Sequence, residues 1–78
     1  MFKIYSKINC PYCTKVKNAF YLTKQSFEER ILDEDFTKQQ FYTLFGHGAS
    51  FPQVMYNEDF IGGCRETVLF LKENNMVP

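Results

Sequence analysis

The chain has 78 residues, 45% of them apolar and 18% aromatic, with nine Lys and Arg balanced by nine Asp and Glu. That is room for one domain, 1–78, and its aromatic content is too high for a disordered chain. Zero net charge without a basic run argues against binding nucleic acid or an anionic membrane by charge. The longest apolar runs, Ala19–Leu22 and Val68–Leu71, are far short of the roughly 20 residues a membrane span needs.

Phe2, Ile4 and Ser6 alternate with Lys3, Tyr5 and Lys7, which predicts a strand over 2–6. No secretory apolar segment precedes it, so the expectation is a cytoplasmic protein. Asn9-Cys10-Pro11 opens a helix, since proline is favoured in a first helical turn. Val16, Ala19, Phe20 and Thr23 recur at helical spacing, and the helix is expected over about 11–24. Residues 27–32 read as a second strand, made polar by Glu28, Glu29 and Arg30 and therefore placed at a sheet edge. Thr37 and Gln40 fit a capping box, followed by Phe41, Leu44 and Phe45 at helical spacing and a stop at Gly46. Residues 53–56 and 60–61 form a hairpin that turns at 57–59. A last helix is expected over about 65–75, with Val68 and Leu71 on its buried face. The order β-α-β-α-β-β-α specifies an α/β chain whose first unit is a parallel pair with a helical crossover. A mixed four-stranded sheet flanked by helices is the economical arrangement.

The chemistry lies in Cys10-Pro11-Tyr12-Cys13. Residues three apart at a helix start share a face and suit the Cα separation of a disulfide. Cys10 falls at the N-cap, where free N–H groups and the helix dipole favour a thiolate over a thiol. Thiol pKa values at such sites drop from about 8.5 to between about 3.5 and 7.5. Cys13, one turn in and more buried, is then the resolving thiol for a mixed disulfide on Cys10. The other reading is metal binding, with Cys64 and His47 completing a zinc set around the pair. A lone C-x-x-C heading a helix in a β-α-β unit reads more often as redox, and three cysteines are an odd number for a secreted disulfide scaffold. Singly, His47 reads as a solvated loop residue and Cys64 as a partly buried small hydrophobe.

Residues 1–75 resemble a dithiol glutaredoxin of the short bacterial and phage type. The resemblance rests on Lys7-x-x-Cys10-Pro11-Tyr12-Cys13, Phe51-Pro52 and Gly62-Gly63-Cys64, in that order and at the family's spacing. It implies a thioredoxin-like fold, a glutathione-dependent thiol–disulfide oxidoreductase, glutathione as co-substrate without a bound metal, and a monomer. Its partners would be disulfide-containing client proteins, ribonucleotide reductase among them. By the same resemblance Lys7 binds the glycine carboxylate of glutathione and lowers the thiol pKa. Tyr12 walls the mixed disulfide, and Lys38 joins Lys7 at the carboxylate. Pro52 is the family's cis-proline, which lets the backbone of Phe51 pair with the cysteinyl backbone of glutathione. Gly63, Cys64 and Arg65 offer the helix start to the γ-glutamyl carboxylate, and Glu66 meets the γ-glutamyl ammonium. Ser50-Phe51 stands in place of the usual Thr-Val, Arg65 in place of a common Asp, and the loop 46–51 is one residue longer. The alternatives are a redoxin served by thioredoxin reductase, and a zinc or [2Fe–2S] module built on Cys10. Pro11 and Tyr12 disfavour the cluster.

Overall fold

The computed structural model describes residues 1–76. Strand β1 (Phe2–Ser6) buries Phe2, Ile4 and Ser6 and leaves Lys3 and Tyr5 half-buried. It pairs in parallel with β2 (Phe27–Ile31), in a register running from Phe2 opposite Phe27 to Ser6 opposite Ile31. On its other side it pairs antiparallel with β3 (Gln53–Tyr56), from Phe2 opposite Tyr56 to Tyr5 opposite Gln53. β3 turns into β4 (Asp59–Gly62), giving one four-stranded sheet in the order β2-β1-β3-β4. The turn is tighter than expected: only Asn57 and Glu58 lie outside the strands, with Asn57 left-handed at φ 56°. Asparagine tolerates that conformation better than most residues. Polar β2 lies at an edge, as its charges require.

Between the parallel strands runs α1 (Pro11–Leu22), which buries Cys13, Val16 and Phe20. It ends two residues earlier than its spacing suggests, because Lys24 turns left-handed at φ 57°. After the hairpin comes α3 (Cys64–Glu73), which starts one residue earlier than expected. It buries Thr67 and Leu71, while Val68 is only half-buried. Thr67 can face the interior because its hydroxyl donates back to the Gly63 carbonyl at 2.8 Å, which satisfies the polar group within the helix. The core joins Phe2, Ile4 and Val54 of the sheet to Val16, Phe20 and Leu71 of these two helices.

Helix α2 (Lys38–Phe45) covers the sheet on the Tyr5 side. The expected capping box is formed: the Gln40 N–H donates to Thr37 Oγ1 at 3.1 Å and the Thr37 N–H to Gln40 Oε1 at 2.8 Å. Tyr5 meets Phe36 and Phe45 edge-on at 5.2 and 5.0 Å between centroids. Phe41 is the buried residue of α2, and Leu44 is 42% exposed where helical spacing had put it inside. Phe36, ahead of the helix and outside any periodic pattern, supplies the missing apolar contact and is buried. Among the described residues no helix is long and apolar enough to cross a membrane.

Two thin layers around one sheet leave little redundancy in a chain this short. Removing the fully buried ring in Phe20→Ala should cost about 3–5 kcal/mol in urea unfolding. Leu44→Ala should stay within about 0.5 kcal/mol, as for an ordinary surface change. Equal losses would contradict this division between core and surface.

Candidate active site

β1 ends at Ser6, and the chain turns through residues 7–9, with Asn9 left-handed at φ 58°. This sets Cys10 at the N-cap of α1 in extended conformation, φ −118° and ψ 101°. Pro11 follows at the first helical position, where a missing N–H leaves nothing unsatisfied. Cys10 Sγ accepts the Cys13 N–H at 3.2 Å, so the sulfur does the work usually done by a capping oxygen. Cys10 and Cys13 are joined in a disulfide, with their Cα atoms 5.2 Å apart. Cys10 is 8% exposed and Cys13 2%. Attack from outside therefore falls on Cys10, and Cys13 is the inner partner. Tyr12 projects beside them, 59% exposed, with Lys15 Nζ 5.1 Å from its ring centroid.

Two further segments frame the pair. The Phe51–Pro52 bond is cis, and Pro52 is buried next to the start of β3. A Cβ at Gly63 would stand 3.5 Å from the Pro52 carbonyl oxygen, so the start of α3 packs directly on this turn. At Gly62 the backbone has φ +123°, and a Cβ would meet Glu66 Cβ and Cγ at 2.9 Å. Only glycine fits that position without displacing the helix. Glu66 Oε1 accepts the Gly63 N–H at 2.8 Å, so this carboxylate caps α3. From sequence the residue reads either as a partner for a ligand ammonium or as a first-turn acid suited to the helix dipole, and the structure shows the helix-start role. Cys64, the first residue of α3, is half-buried and packs against the core, and Arg65 beside it is exposed.

Lys7 is exposed, with its Nζ 5.2 Å from the Phe51 ring centroid. That ring turns towards α2, stacking on Phe41 at 4.1 Å and 11°. Its bulk is thus absorbed by the aromatic layer under α2. Lys38 is exposed at the first position of α2 and does not line the cleft beside the cysteines. His47 lies away from the cysteines, stacked on Tyr42 at 5.8 Å. Among the described residues no three His, Cys, Asp or Glu side chains gather as a metal site would need. The zinc set of Cys10, Cys13, Cys64 and His47 is not assembled.

Sequence reasoning missed one part of the site. An open cleft of about 570 Å³ runs beside the disulfide, and its walls include Lys7, Cys10, Cys13, Lys17 and Glu29. Glu29 Oε2 accepts from Lys17 Nζ at 2.9 Å and from the Ser6 hydroxyl at 2.8 Å. Burial is the largest single influence on this carboxyl and pushes its pKa up. The hydrogen bonds from Lys17 and Ser6 and the Lys17 charge together outweigh it and hold the group below its ordinary 4.5. Ser6, Lys17 and Glu29 come from three elements at spacings that form no motif. The one available sign was a charged residue in the middle of a strand.

A carboxyl whose pKa is lower folded than unfolded contributes stability above its unfolded pKa and loses it as pH falls through the folded value. The stability gap between wild type and Glu29→Gln should therefore be open at pH 7. It should close as the pH is lowered past 4.5. Unfolding titrations from pH 7 to about 3 would check this; a gap constant across that range would contradict the role given to the Lys17–Glu29 pair.

Comparison with known proteins gives a consistent picture. The glutaredoxin family model matches residues 2–61. A rice glutaredoxin-C6 is 30% identical over 78 residues, covering 96% of this chain and 70% of the relative. The chain spans about half the length of the bovine and human mitochondrial glutaredoxin-2 proteins it also matches. Among solved structures, Francisella tularensis glutaredoxin 1 complexed with cacodylate superposes with a TM-score of 0.73 at 30% identity, covering 95% of this chain and 90% of that one. A buckwheat glutaredoxin–glutathione complex shares the fold, with a TM-score of 0.76 at 22% identity, covering 97% of this chain and 71% of that one. With a dithiol at a helix N-cap, a cis-proline turn and a thioredoxin-like mixed sheet in place, this chain belongs to the glutaredoxin family of thiol–disulfide oxidoreductases.

Proposed function

We propose that this chain reduces protein disulfides and glutathione mixed disulfides with electrons from glutathione. The observation that carries the reading is the Cys10–Cys13 pair, with its outer sulfur held on the Cys13 N–H in the first turn of α1. In the reduced protein the Cys10 thiolate attacks one sulfur of a client disulfide. A Cys10–client bond forms, the client S–S bond breaks, and the departing thiolate takes a proton from solvent. Cys13, deprotonated, attacks Cys10 Sγ. The Cys10–Cys13 bond forms and the client leaves as a dithiol, two electrons richer. One glutathione thiolate then opens the protein disulfide at Cys10, and Cys13 regains its proton. A second attacks the glutathionyl sulfur and leaves as glutathione disulfide. A substrate already joined to glutathione needs only Cys10.

Glutathione carries two carboxylates, and the distribution of charge supports its binding here. Among the described residues, ion pairs join Lys3 and Arg30 to Glu28, and Lys17 to Glu29. Lys7, Lys38 and Arg65 are in none of them, and neither are Lys15, Lys24 and Lys72. We assign the glycine carboxylate to Lys7 and Lys38, and the γ-glutamyl carboxylate to the α3 start at Cys64 and Arg65, since the Gly63 N–H already donates to Glu66. Phe51 at the Pro52 turn offers its backbone to the cysteinyl unit. Tyr12 flanks the sulfurs, and Glu66 faces the ammonium. Arg65 beside Glu66 favours the carboxylate over the ammonium. The buckwheat relative solved with glutathione supports the same ligand class. Protein clients, ribonucleotide reductase among them, and a monomer in a reducing compartment complete the proposal.

The test is reduction of a glutathione mixed disulfide coupled to NADPH, through glutathione reductase in one arm and thioredoxin reductase without glutathione in the other. The expected result is turnover in the glutathione arm alone, lost in Cys10→Ser and kept in part by Cys13→Ser. An exposed ion-pair contact contributes up to about 1 kcal/mol, so Lys38→Glu, which replaces attraction by repulsion, should raise KM for glutathione by roughly 2- to 5-fold. Turnover in the thioredoxin reductase arm alone would remove the glutathione assignments.

A further inference from the structure

We infer that Phe51 is a positioning residue, whose ring face holds the Lys7 ammonium at the mouth of the cleft beside Cys10. This rests on the assignment of Lys7 to a glutathione carboxylate. Three observations carry it. The first is register. Tyr5 lies opposite Gln53 in the antiparallel ladder of β1 and β3. The ladder stops there, and Lys7 and Phe51 lie on the two stretches that leave it at the same end, one just after Ser6 and the other just before Pro52.

The second is the fixing of the ring. Phe51 stacks on Phe41 with centroids 4.1 Å apart and planes 11° from parallel, and on Phe36 at 6.2 Å and 19°. Phe41 and Phe36 are both buried, Phe41 almost completely. The ring therefore belongs to a stack rooted under α2 and does not share the freedom of a loop side chain.

The third is the cation. Lys7 Nζ lies 5.2 Å from the Phe51 centroid, inside the range where a ring face attracts an ammonium. Lys7 also lines the cleft shared by Cys10 and Cys13. A free lysine samples many rotamers, and binding a ligand through one of them has an entropic cost. A fixed ring lowers that cost in advance. The ring attracts the charge while leaving N–H donors of the ammonium for a carboxylate. An aliphatic residue at position 51 keeps the apolar packing and has no such face.

The test combines a placement readout with a functional one, in wild type, Phe51→Leu, Phe51→Tyr, Lys7→Met and the double variant Phe51→Leu/Lys7→Met. In the NMR spectrum the Lys7 ε-CH2 protons should be shifted upfield by the ring in wild type and Phe51→Tyr. They should return to ordinary lysine positions in Phe51→Leu. A cation–ring contact at an exposed site corresponds to roughly a 2- to 5-fold change in an equilibrium constant. KM for glutathione should rise by about that factor in Phe51→Leu, with Phe51→Tyr on the wild-type side of it. In the Lys7→Met background the same leucine substitution should add nothing, because the contact is already gone. Absence of the ring shift in wild type overturns the placement. A KM penalty for Phe51→Leu that is equal with and without Lys7, or no penalty at all, overturns the positioning role. If Lys7→Met itself leaves KM unchanged while the ring shift is present, the failure lies in the carboxylate assignment of Lys7.

Discussion

The sulfur of Cys10 stands where a helix ordinarily places a serine or aspartate oxygen, and the site is arranged around that substitution. A thiol is a weak acceptor and a poor cap. A thiolate is a good one, because the N–H groups of the first turn and the helix dipole act on a full negative charge. The 3.2 Å contact from the Cys13 N–H fixes the direction from which those dipoles act. In the disulfide that sulfur is neutral and holds the contact as a weak acceptor; the same N–H and dipole act on a full charge when Cys10 is reduced and ionised, which is the form the proposed reduction requires. Cys13 gains no cap of its own. At 2% exposed it is reached through Cys10, which separates the nucleophile from the resolving thiol without any further residue.

That geometry depends on β1, which has neighbours on both sides and a different task on each face. Phe2 and Ile4 point into the core and anchor α1 and α3, so the helix that carries the cysteines cannot shift relative to the sheet. Tyr5 points the other way and supports the aromatic layer that receives Phe51. Ser6, at the end of the strand, is buried with its hydroxyl on Glu29. The cysteine turn, the proline turn and the Lys17–Glu29 pair are thus tied to one five-residue strand. A disturbance of its register would move all three together.

Most of the architecture was legible because it is written in local periodicity. Alternation located β1, the polar run placed β2 at an edge, and the Thr37/Gln40 box and Pro11 marked two helix starts. The redox site was equally legible, since Cys10 and Cys13 lie within one turn and their chemistry follows from position on that turn. The misreadings have a common cause. Leu44 and Val68 satisfied helical spacing, yet the surfaces they were expected to meet are filled by Phe36 and by Thr67. Phe36 belongs to no periodic segment, and Thr67 hides its hydroxyl within its own helix. Glu29 is held by partners 12 and 23 residues away, and no local pattern encodes such a contact. Glu66 was legible as a first-turn acid, but its bond to the Gly63 N–H depends on the backbone at Gly62.

Net charge was the least informative sequence quantity, because neutrality of the chain conceals an uneven distribution. The two carboxylates of β2, Glu28 and Glu29, take up Lys3, Lys17 and Arg30. Those cations are committed to the sheet edge. Lys7, Lys38 and Arg65 stand outside that network, one after β1, one at the start of α2 and one in the first turn of α3. A polyanion such as nucleic acid requires cations in a contiguous track, and its affinity grows with each phosphate neutralised. A small ligand with two separate carboxylates requires a few cations on different elements, each paired with N–H donors. Lys7, Lys38 and Arg65, on three different segments, are spread as the proposed binding of glutathione requires. The pairing of β2's acids with nearby bases therefore separates two cations of one cleft: Lys17 is bound to Glu29, whereas Lys7 is in none of the ion pairs among the described residues.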